Sequence, residues 1–215
     1  MQSTTNISNL AFGARASRPP AAGRLARQYA LRGLAAALFF IVALSCAPAQ
    51  APVVIPFADA DQWVLQKPLA YRSIVVPAGF VTDFASIPSP LCNLIPRTDR
   101  YLSAAIVHDF LYWDQSCSRE QADRLLFAAM ENAGVPPLKR EAIRAAVRAL
   151  GGHAWSGNAA DRREGYVRVL PRRYRTPPAE GSWHSWREQL RREHVGEPEY
   201  ERPSAAACSA ADALH

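Results

Sequence analysis

Four polar side chains close together in the chain have the types and spacing of a hydrolytic site. His108 and Tyr112 are four residues apart, so they share one face of a helix, and Asp109 lies beside them. Asp123 heads an apolar stripe on the next predicted helix, and a carboxylate on such a face needs a partner. We therefore predict that Asp123 pairs with His108 or Tyr112. A carboxylate in that position would leave one nitrogen of His108 to take a proton from water.

The same residues also have structural interpretations. A histidine on an amphipathic helix is often a hydrogen-bonded structural residue, and a polar cluster can be a satisfied network without catalysis. Asp83 lies between Thr82 and Phe84, where it would either cap a turn or supply an oxygen ligand to a cation. Ser86 is a poor nucleophile candidate because no G-x-S-x-G motif surrounds it.

Short strands are predicted before this cluster. The apolar runs at 53–55 and 63–65 are typical of edge strands because prolines interrupt them. The β-branched run at 73–76 is a stronger strand, and we expect it to form a hairpin with residues 80–82. Residues 83–90 contain two prolines and predict an extended loop.

Three helices are predicted to follow the strands. Their expected bounds are Thr98 or Asp99 to about Trp113, Ser118 to Gly134, and Leu138 to Leu150, closed by Gly151-Gly152. Ser118 and Gln121 have the spacing of a capping box. The short connection at 114–117 predicts that the first two helices pack antiparallel. The fold class is therefore α+β, with a small antiparallel hairpin or sheet followed by a three-helix core and extended termini.

The first 51 residues have the pattern of an export leader. Five arginines without acidic residues precede an apolar run at 34–44, which is shorter than the roughly 20 residues of a membrane span. Ala43-Leu44-Ser45-Cys46 is similar to a bacterial lipobox, and Ala49-Gln50-Ala51 is a small-residue cleavage site. Lipidation at Cys46, cleavage after Ala51 and an uncleaved anchor all stay open. The expected partner is a membrane or lipid surface of a bacterial cell envelope.

The charge of the chain lies mainly in this leader. The formal net charge is +6, and the first 46 residues carry five arginines and no lysine or acid, which leaves +1 for the remainder. A nearly neutral remainder has no basic footprint for a polyphosphate, so no nucleic-acid partner is expected.

The remaining chain divides into a globular α+β domain at 52–152 and an arginine- and proline-rich extension at 153–215. A short amphipathic helix is predicted at 182–194, and disorder is expected from about 195. In an oxidising compartment Cys92 and Cys117 could form a disulfide, which is one of several pairings that four cysteines allow. None of the cysteines has the spacing of a zinc finger.

The helix pair resembles the catalytic helices of secreted phospholipase A2, particularly its small bacterial forms. The resemblance rests on Ala105-Ile106-Val107-His108-Asp109-Phe110-Leu111-Tyr112 and Ala122-Asp123-Arg124. It implies that His108 is the general base for water, that Asp109 binds Ca²⁺, and that Tyr112 and Asp123 hold His108. That family also binds calcium through a glycine-rich loop, whereas no glycine lies between Gly79 and His108. A cation at Asp109 is therefore expected to use Asp83 and other oxygens of the loop at 83–88.

A second resemblance extends over roughly residues 55 to 150. Gly79-Phe80-Val81-Thr82-Asp83-Phe84-Ala85-Ser86-Ile87-Pro88, His108-Asp109-Phe110-Leu111-Tyr112 and Ala122-Asp123 are similar to the bacterial and phage family called domain of unknown function 1353. This resemblance implies no activity. Two hypotheses follow: an exported hydrolase of lipid esters, or a non-catalytic envelope or phage-derived structural or binding module.

Overall fold

The computed structural model describes residues 51–84 and 99–210, which lie in one compact unit, Ala49–His215. The predicted leader up to Gln50 lies outside the described residues, as do Ser86, Cys92 and most of the loop after Asp83. None of the described helices is both long and apolar enough to cross a membrane.

The predicted α+β class is confirmed. The strands are β1 Val54–Pro56, β2 Trp63–Leu65, β3 Leu69–Tyr71, β4 Ile74–Val76 and β5 Val81–Thr82. The helices are α1 Asp99–Asp114, α2 Arg119–Asn132, α3 Pro137–Arg163, α4 Trp183–Arg192 and α5 Ala205–Ser209, with a short 3₁₀ turn at Arg172–Tyr174.

The strands form two small antiparallel sheets, with the orders β1-β2-β5 and β3-β4. The predicted hairpin between 73–76 and 80–82 is therefore wrong, and so is the edge position of residues 63–65, since β2 is central. β4 pairs instead with β3 across a two-residue turn in which Arg72 has a φ of 54°. Two-residue hairpin turns require such positive φ angles. The turn residues here, Arg72 and Ser73, are not the Asn-Gly pair that usually indicates a hairpin in a sequence.

A segment of the C-terminal extension pairs beside β5. The amide of Val81 donates to the carbonyl of Arg168 at 2.8 Å, and the amide of Leu170 donates to the carbonyl of Gly79 at 2.9 Å. Gly79 has a φ of 94°, and a Cβ there would collide with the carbonyl oxygen of Leu170. Glycine is thus required for this close approach. The pairing fixes Arg168 next to the end of β5.

Helix α1 is the centre of the main core. Residues 104–114 are all buried, as expected for a helix that is apolar around most of its circumference. It packs against both sheets and against α2 and α3. The predicted capping box is present at the start of α2, where Ser118 accepts from the Gln121 amide and the Gln121 side chain accepts from the Ser118 amide. The predicted antiparallel packing of α1 and α2 is present as well, because His108 contacts Asp123 near the start of α2, while Ala104 and Ala105 cluster with later residues of that helix.

Helix α3 is much longer than the sequence predicted. It continues through Gly151 and Gly152 to Arg163, so the predicted end at Leu150 is wrong and the helix runs across the expected boundary at 152. An interior glycine costs a helix roughly 0.5–1 kcal/mol relative to alanine, and packing offsets this cost. At Gly151 the reason for glycine is visible, because an added Cβ would lie 2.5 Å from the Tyr112 hydroxyl.

The predicted helix at 182–194 is present as α4, capped by Ser182. The predicted disorder from about 195 is wrong for residues 195–210. Arg202 forms an ion pair with the fully buried carboxylate of Asp114 at 2.8 Å. Cys208 is bonded to Cys117, so the suggested pairing of Cys92 with Cys117 is also wrong. The disulfide and the ion pair of Arg202 with the buried Asp114 carboxylate together hold this segment against the helical core.

Candidate functional site

Helices α1 and α2 bring His108, Tyr112 and Asp123 into direct contact. His108 Nε2 lies 3.0 Å from Asp123 Oδ1, and the Tyr112 hydroxyl donates to the same oxygen at 2.7 Å. The exposed fractions of His108 and Asp123 are only 5% and 9%. The spacing predicted that Asp123 pairs with His108 or Tyr112, and in the structure one carboxylate oxygen of Asp123 contacts both.

A third donor reaches the same carboxylate from within α2. Arg119 Nη1 lies 3.3 Å from Asp123 Oδ2, four residues further along the helix. This residue was missed by the sequence analysis, although its i,i+4 spacing to Asp123 was a sufficient signal. Three groups, on His108, Tyr112 and Arg119, thus provide hydrogen-bond partners for a carboxylate that is otherwise buried.

The Tyr112 hydroxyl keeps its proton and acts as a hydrogen-bond donor. Burial, reinforced by the hydrogen bond to Asp123, raises the pKa of Tyr112 well above its ordinary value. Its ring also packs edge-on against Trp155 at a centroid distance of 5.2 Å. Tyr112 therefore stays neutral at physiological pH and keeps donating to Asp123.

The second ring nitrogen of His108 is unsatisfied. Nδ1 is buried and has no hydrogen-bond partner among the residues that the structure describes. If the neutral imidazole donates its Nε2 hydrogen to the Asp123 carboxylate, its lone pair is on Nδ1. A buried nitrogen with a lone pair and no partner is competent to accept a proton from a bound water.

The two predicted cation ligands, Asp83 and Asp109, both line the same cleft as His108. The Thr82 hydroxyl donates to Asp109 Oδ2 at 2.5 Å, and Arg168 Nη2 lies 3.9 Å from Asp83 Oδ2. The surroundings of both carboxylates thus include protein donors.

These surroundings fit calcium poorly. Ca²⁺ takes six to eight oxygens, and a guanidinium beside Asp83 would repel it. Within residues 51–84 and 99–210 no group of three His, Cys, Asp or Glu side chains could hold a metal ion. Calcium binding stays a prediction from the phospholipase resemblance.

The cleft itself has a volume of about 310 Å³ and is enclosed on one side by α3. That wall is largely apolar and small, and is formed by Ile143, Ala146, Val147, Leu150, Gly151, Ala154 and Gly157. The opposite wall and the far end are polar, and are formed by Asp83, His108, Asp109, Tyr112, Asn158, Asp161 and Arg168, while the exposed His153 adds a polar group to the α3 side. The arrangement suits a ligand with an apolar part and a polar part.

The second half of α3 and Arg168 were not anticipated as parts of a site. Small residues at helical spacing on α3, among them Ala154 and Gly157, were a usable signal for a close-packed or ligand-facing surface. No comparable signal existed for Arg168, because its position depends on a pairing between segments almost 90 residues apart. Arg168 and the second half of α3 both lie beyond residue 152, where the sequence predicted that the globular domain ends.

One comparison with known proteins matches the part of the chain that contains the His108 cluster. Residues 60–147 match the family model described as "Protein of unknown function (DUF1353)". The matched segment agrees with the second resemblance of the sequence, and it includes His108, Asp109, Tyr112 and Asp123. No curated protein and no solved structure matches the chain. The resemblance to phospholipase A2 stays a prediction.

Proposed function

We propose that this protein hydrolyses a carboxylic ester of a lipid-like amphiphile, with His108 as the general base. The observation that carries the proposal is the pair formed by His108 Nε2 and Asp123 Oδ1 at 3.0 Å, which leaves the Nδ1 of a cleft-lining histidine without a partner among the described residues. Buried polar atoms in proteins are nearly always satisfied, so an exception in a cleft is a candidate catalytic group.

The proton transfers use only the residues of the cluster and a water molecule. Water transfers a proton to His108 Nδ1 as its oxygen bonds to the ester carbonyl carbon, giving a tetrahedral intermediate with a negative oxygen. The intermediate collapses, its bond to the alcohol oxygen breaks, and the proton on Nδ1 passes to that leaving oxygen. Asp123 stabilises the transient imidazolium through Nε2, while Tyr112 and Arg119 keep Asp123 in place.

The shape of the cleft supports an amphiphilic substrate. An apolar wall on α3 faces the polar groups of α1, so an acyl chain can lie along α3 while the ester lies at His108. Export to the cell envelope, with a membrane or lipid surface as partner, belongs to the same proposal. The Cys117–Cys208 disulfide supports this location, because disulfides persist mainly in oxidising compartments.

A second candidate is a non-catalytic envelope or phage-derived module. It is favoured by one observation: Asp123 already receives donors from His108, Tyr112 and Arg119, as a structural network would require. The two candidates differ in what His108 Nδ1 does, because a structural network has no use for an unpartnered nitrogen in a cleft.

Ester hydrolysis by the purified protein decides between them. We expect release of fatty acid from phospholipid vesicles or from a medium-chain ester, and we expect His108→Ala to abolish it while the far-ultraviolet circular dichroism is kept. His184→Ala, which alters an exposed histidine on α4, is the matched control and should hydrolyse like the parent. Full activity in a folded His108→Ala variant would refute the proposal, as would the absence of hydrolysis by the parent protein on both substrates.

A further inference from the structure

Arg168 places a guanidinium in the wall of the cleft, and its backbone is fixed from two sides. Its carbonyl accepts from the Val81 amide at 2.8 Å, and its own amide donates to Glu197 Oε1 at 2.8 Å. The Glu197 carboxylate also accepts from the next amide, that of Val169. These hydrogen bonds fix the backbone of Arg168 before a ligand binds. Efficient stabilisation of a developing charge requires donors that are preorganised in this way.

The guanidinium has hydrogen-bonding capacity left for a ligand. Its side chain is only 15% exposed. Its contacts with Asn158 Oδ1 and Gln62 Oε1 are 3.5 Å long, and its contact with Asp83 Oδ2 is 3.9 Å long. Good N–H···O hydrogen bonds measure 2.7–3.2 Å, and a guanidinium has five N–H groups. These long contacts hold the group in place without saturating it.

The distribution of charge around the cleft also indicates Arg168 as the group that would bind an anion. Among the described lining residues Arg168 is the only arginine or lysine. The Asp161 carboxylate is paired with Arg187 at 2.7 Å, and Asp109 accepts from Thr82. Arg168 is thus the fixed positive charge at the polar end of the cleft, beside the carboxylate of Asp83 that was expected to help hold a cation.

We infer that Arg168 donates hydrogen bonds to an anionic oxygen of the ligand bound in this cleft, and so fills the place that a divalent cation would otherwise take. The inference rests on the proposed function and adds to it the charge of the group that is bound. The anionic oxygen is either the one formed on the attacked ester carbon or a phosphate oxygen in the head group. A planar fork of donors binds two such oxygens at once, which a lysine ammonium cannot do.

Binding of octylphosphonate in the presence of EDTA tests the inference without requiring turnover. This probe has an alkyl chain and a tetrahedral anionic group, and its affinity is measured by calorimetry on the full chain. We expect saturable binding by the parent, on the order of 100-fold weaker binding by Arg168→Gln, and a smaller loss for Arg168→Lys, which keeps the charge. Arg172→Gln, an exposed arginine of the following segment, is the matched control and should bind like the parent.

Several results would overturn the inference. They are no binding by the parent, equal affinity of the parent and a folded Arg168→Gln, and binding that appears only when calcium replaces EDTA. If Arg168→Gln does not fold, unchanged affinity in Arg168→Lys has the same meaning. Binding that depends on Arg168 but is accompanied by no ester hydrolysis would contradict the proposed function alone.

Kinetics on two esters separate the two sources of the anionic oxygen. A neutral ester such as p-nitrophenyl octanoate has no phosphate, so a fall in kcat for Arg168→Gln assigns the oxygen to the tetrahedral intermediate. A rise in KM confined to a phosphate-bearing ester, with kcat unchanged, assigns it to the head group. Equal kinetics of the parent and Arg168→Gln on both esters would contradict the inference.

Discussion

At the scale of single residues, the charge of Asp123 is the property on which the cluster depends. Asp123 accepts from His108, Tyr112 and Arg119, and an amide in its place would present an N–H to one of these donors. We predict that Asp123→Asn lowers kcat for ester hydrolysis by at least about 100-fold, the usual contribution of a positioned base. It should also cost about 1–3 kcal/mol of unfolding free energy, measured by urea denaturation. A variant with unchanged kcat would show that His108 does not rely on this carboxylate.

Removal of the Tyr112 hydroxyl should have a milder effect. Tyr112→Phe deletes one of two donors on Asp123 Oδ1 and leaves His108 on the same oxygen. We predict a loss of about 1 kcal/mol in unfolding free energy and a smaller fall in kcat than in Asp123→Asn. Tyr174→Phe, whose hydroxyl makes an exposed contact with Glu193, is the control and should change neither. A larger fall in kcat than in Asp123→Asn would assign Tyr112 a direct role in the chemistry.

At the scale of elements, the two adjacent glycines of α3 offer a matched pair. A Cβ at Gly152 meets nothing within 4 Å, whereas one at Gly151 would lie 2.5 Å from the Tyr112 hydroxyl. We predict that Gly152→Ala raises the unfolding free energy by about 0.5–1 kcal/mol through helix propensity, while Gly151→Ala lowers it. Gly151→Ala should also reduce ester hydrolysis by displacing Tyr112. Equal stabilisation by both substitutions in thermal melts would mean that α3 does not pack on Tyr112.

The helices and strands also show which features could be predicted from the sequence. The capping box at Ser118 and the spacing of His108 and Tyr112 are local signals, and they correctly predicted the start of α2 and the contact of Asp123 with α1. The sheet pairing and the length of α3 were mispredicted because they depend on partners far along the chain. Two glycines normally indicate the end of a helix, but here Gly151 is inside one because Tyr112 requires the space.

At the scale of the whole molecule, the site combines two parts of the chain. The family segment at 60–147 supplies the His108 cluster, whereas Arg168 and the second half of α3 lie beyond it. Glu197, in the region where disorder was expected, accepts from the amides of Arg168 and Val169. The polar end of the cleft therefore depends on a C-terminal segment whose order no local sequence pattern indicated.

We expect the disulfide between Cys117 and Cys208 to hold this C-terminal segment in place. Cys117 and Cys208 are 91 residues apart, and closing a loop of this length stabilises a fold by about 2–5 kcal/mol. We predict that the double substitution Cys117→Ala/Cys208→Ala lowers the unfolding free energy by this amount and increases proteolysis within 195–210. Reductant should destabilise the parent and leave the double variant unchanged. A parent whose stability does not respond to reductant would contradict a structural role for this bond.

The central claim is that Asp123 holds His108 in the form whose Nδ1 can accept a proton. The most direct measurement is a long-range ¹H–¹⁵N spectrum of the histidine rings near neutral pH, with the His108 signals assigned by their loss in His108→Gln. We predict a protonated Nε2 and an unprotonated Nδ1 in the parent protein, and a loss of this preference in Asp123→Asn. A neutral His108 ring protonated on Nδ1 would contradict the account, because no lone pair would then be available for water in the cleft.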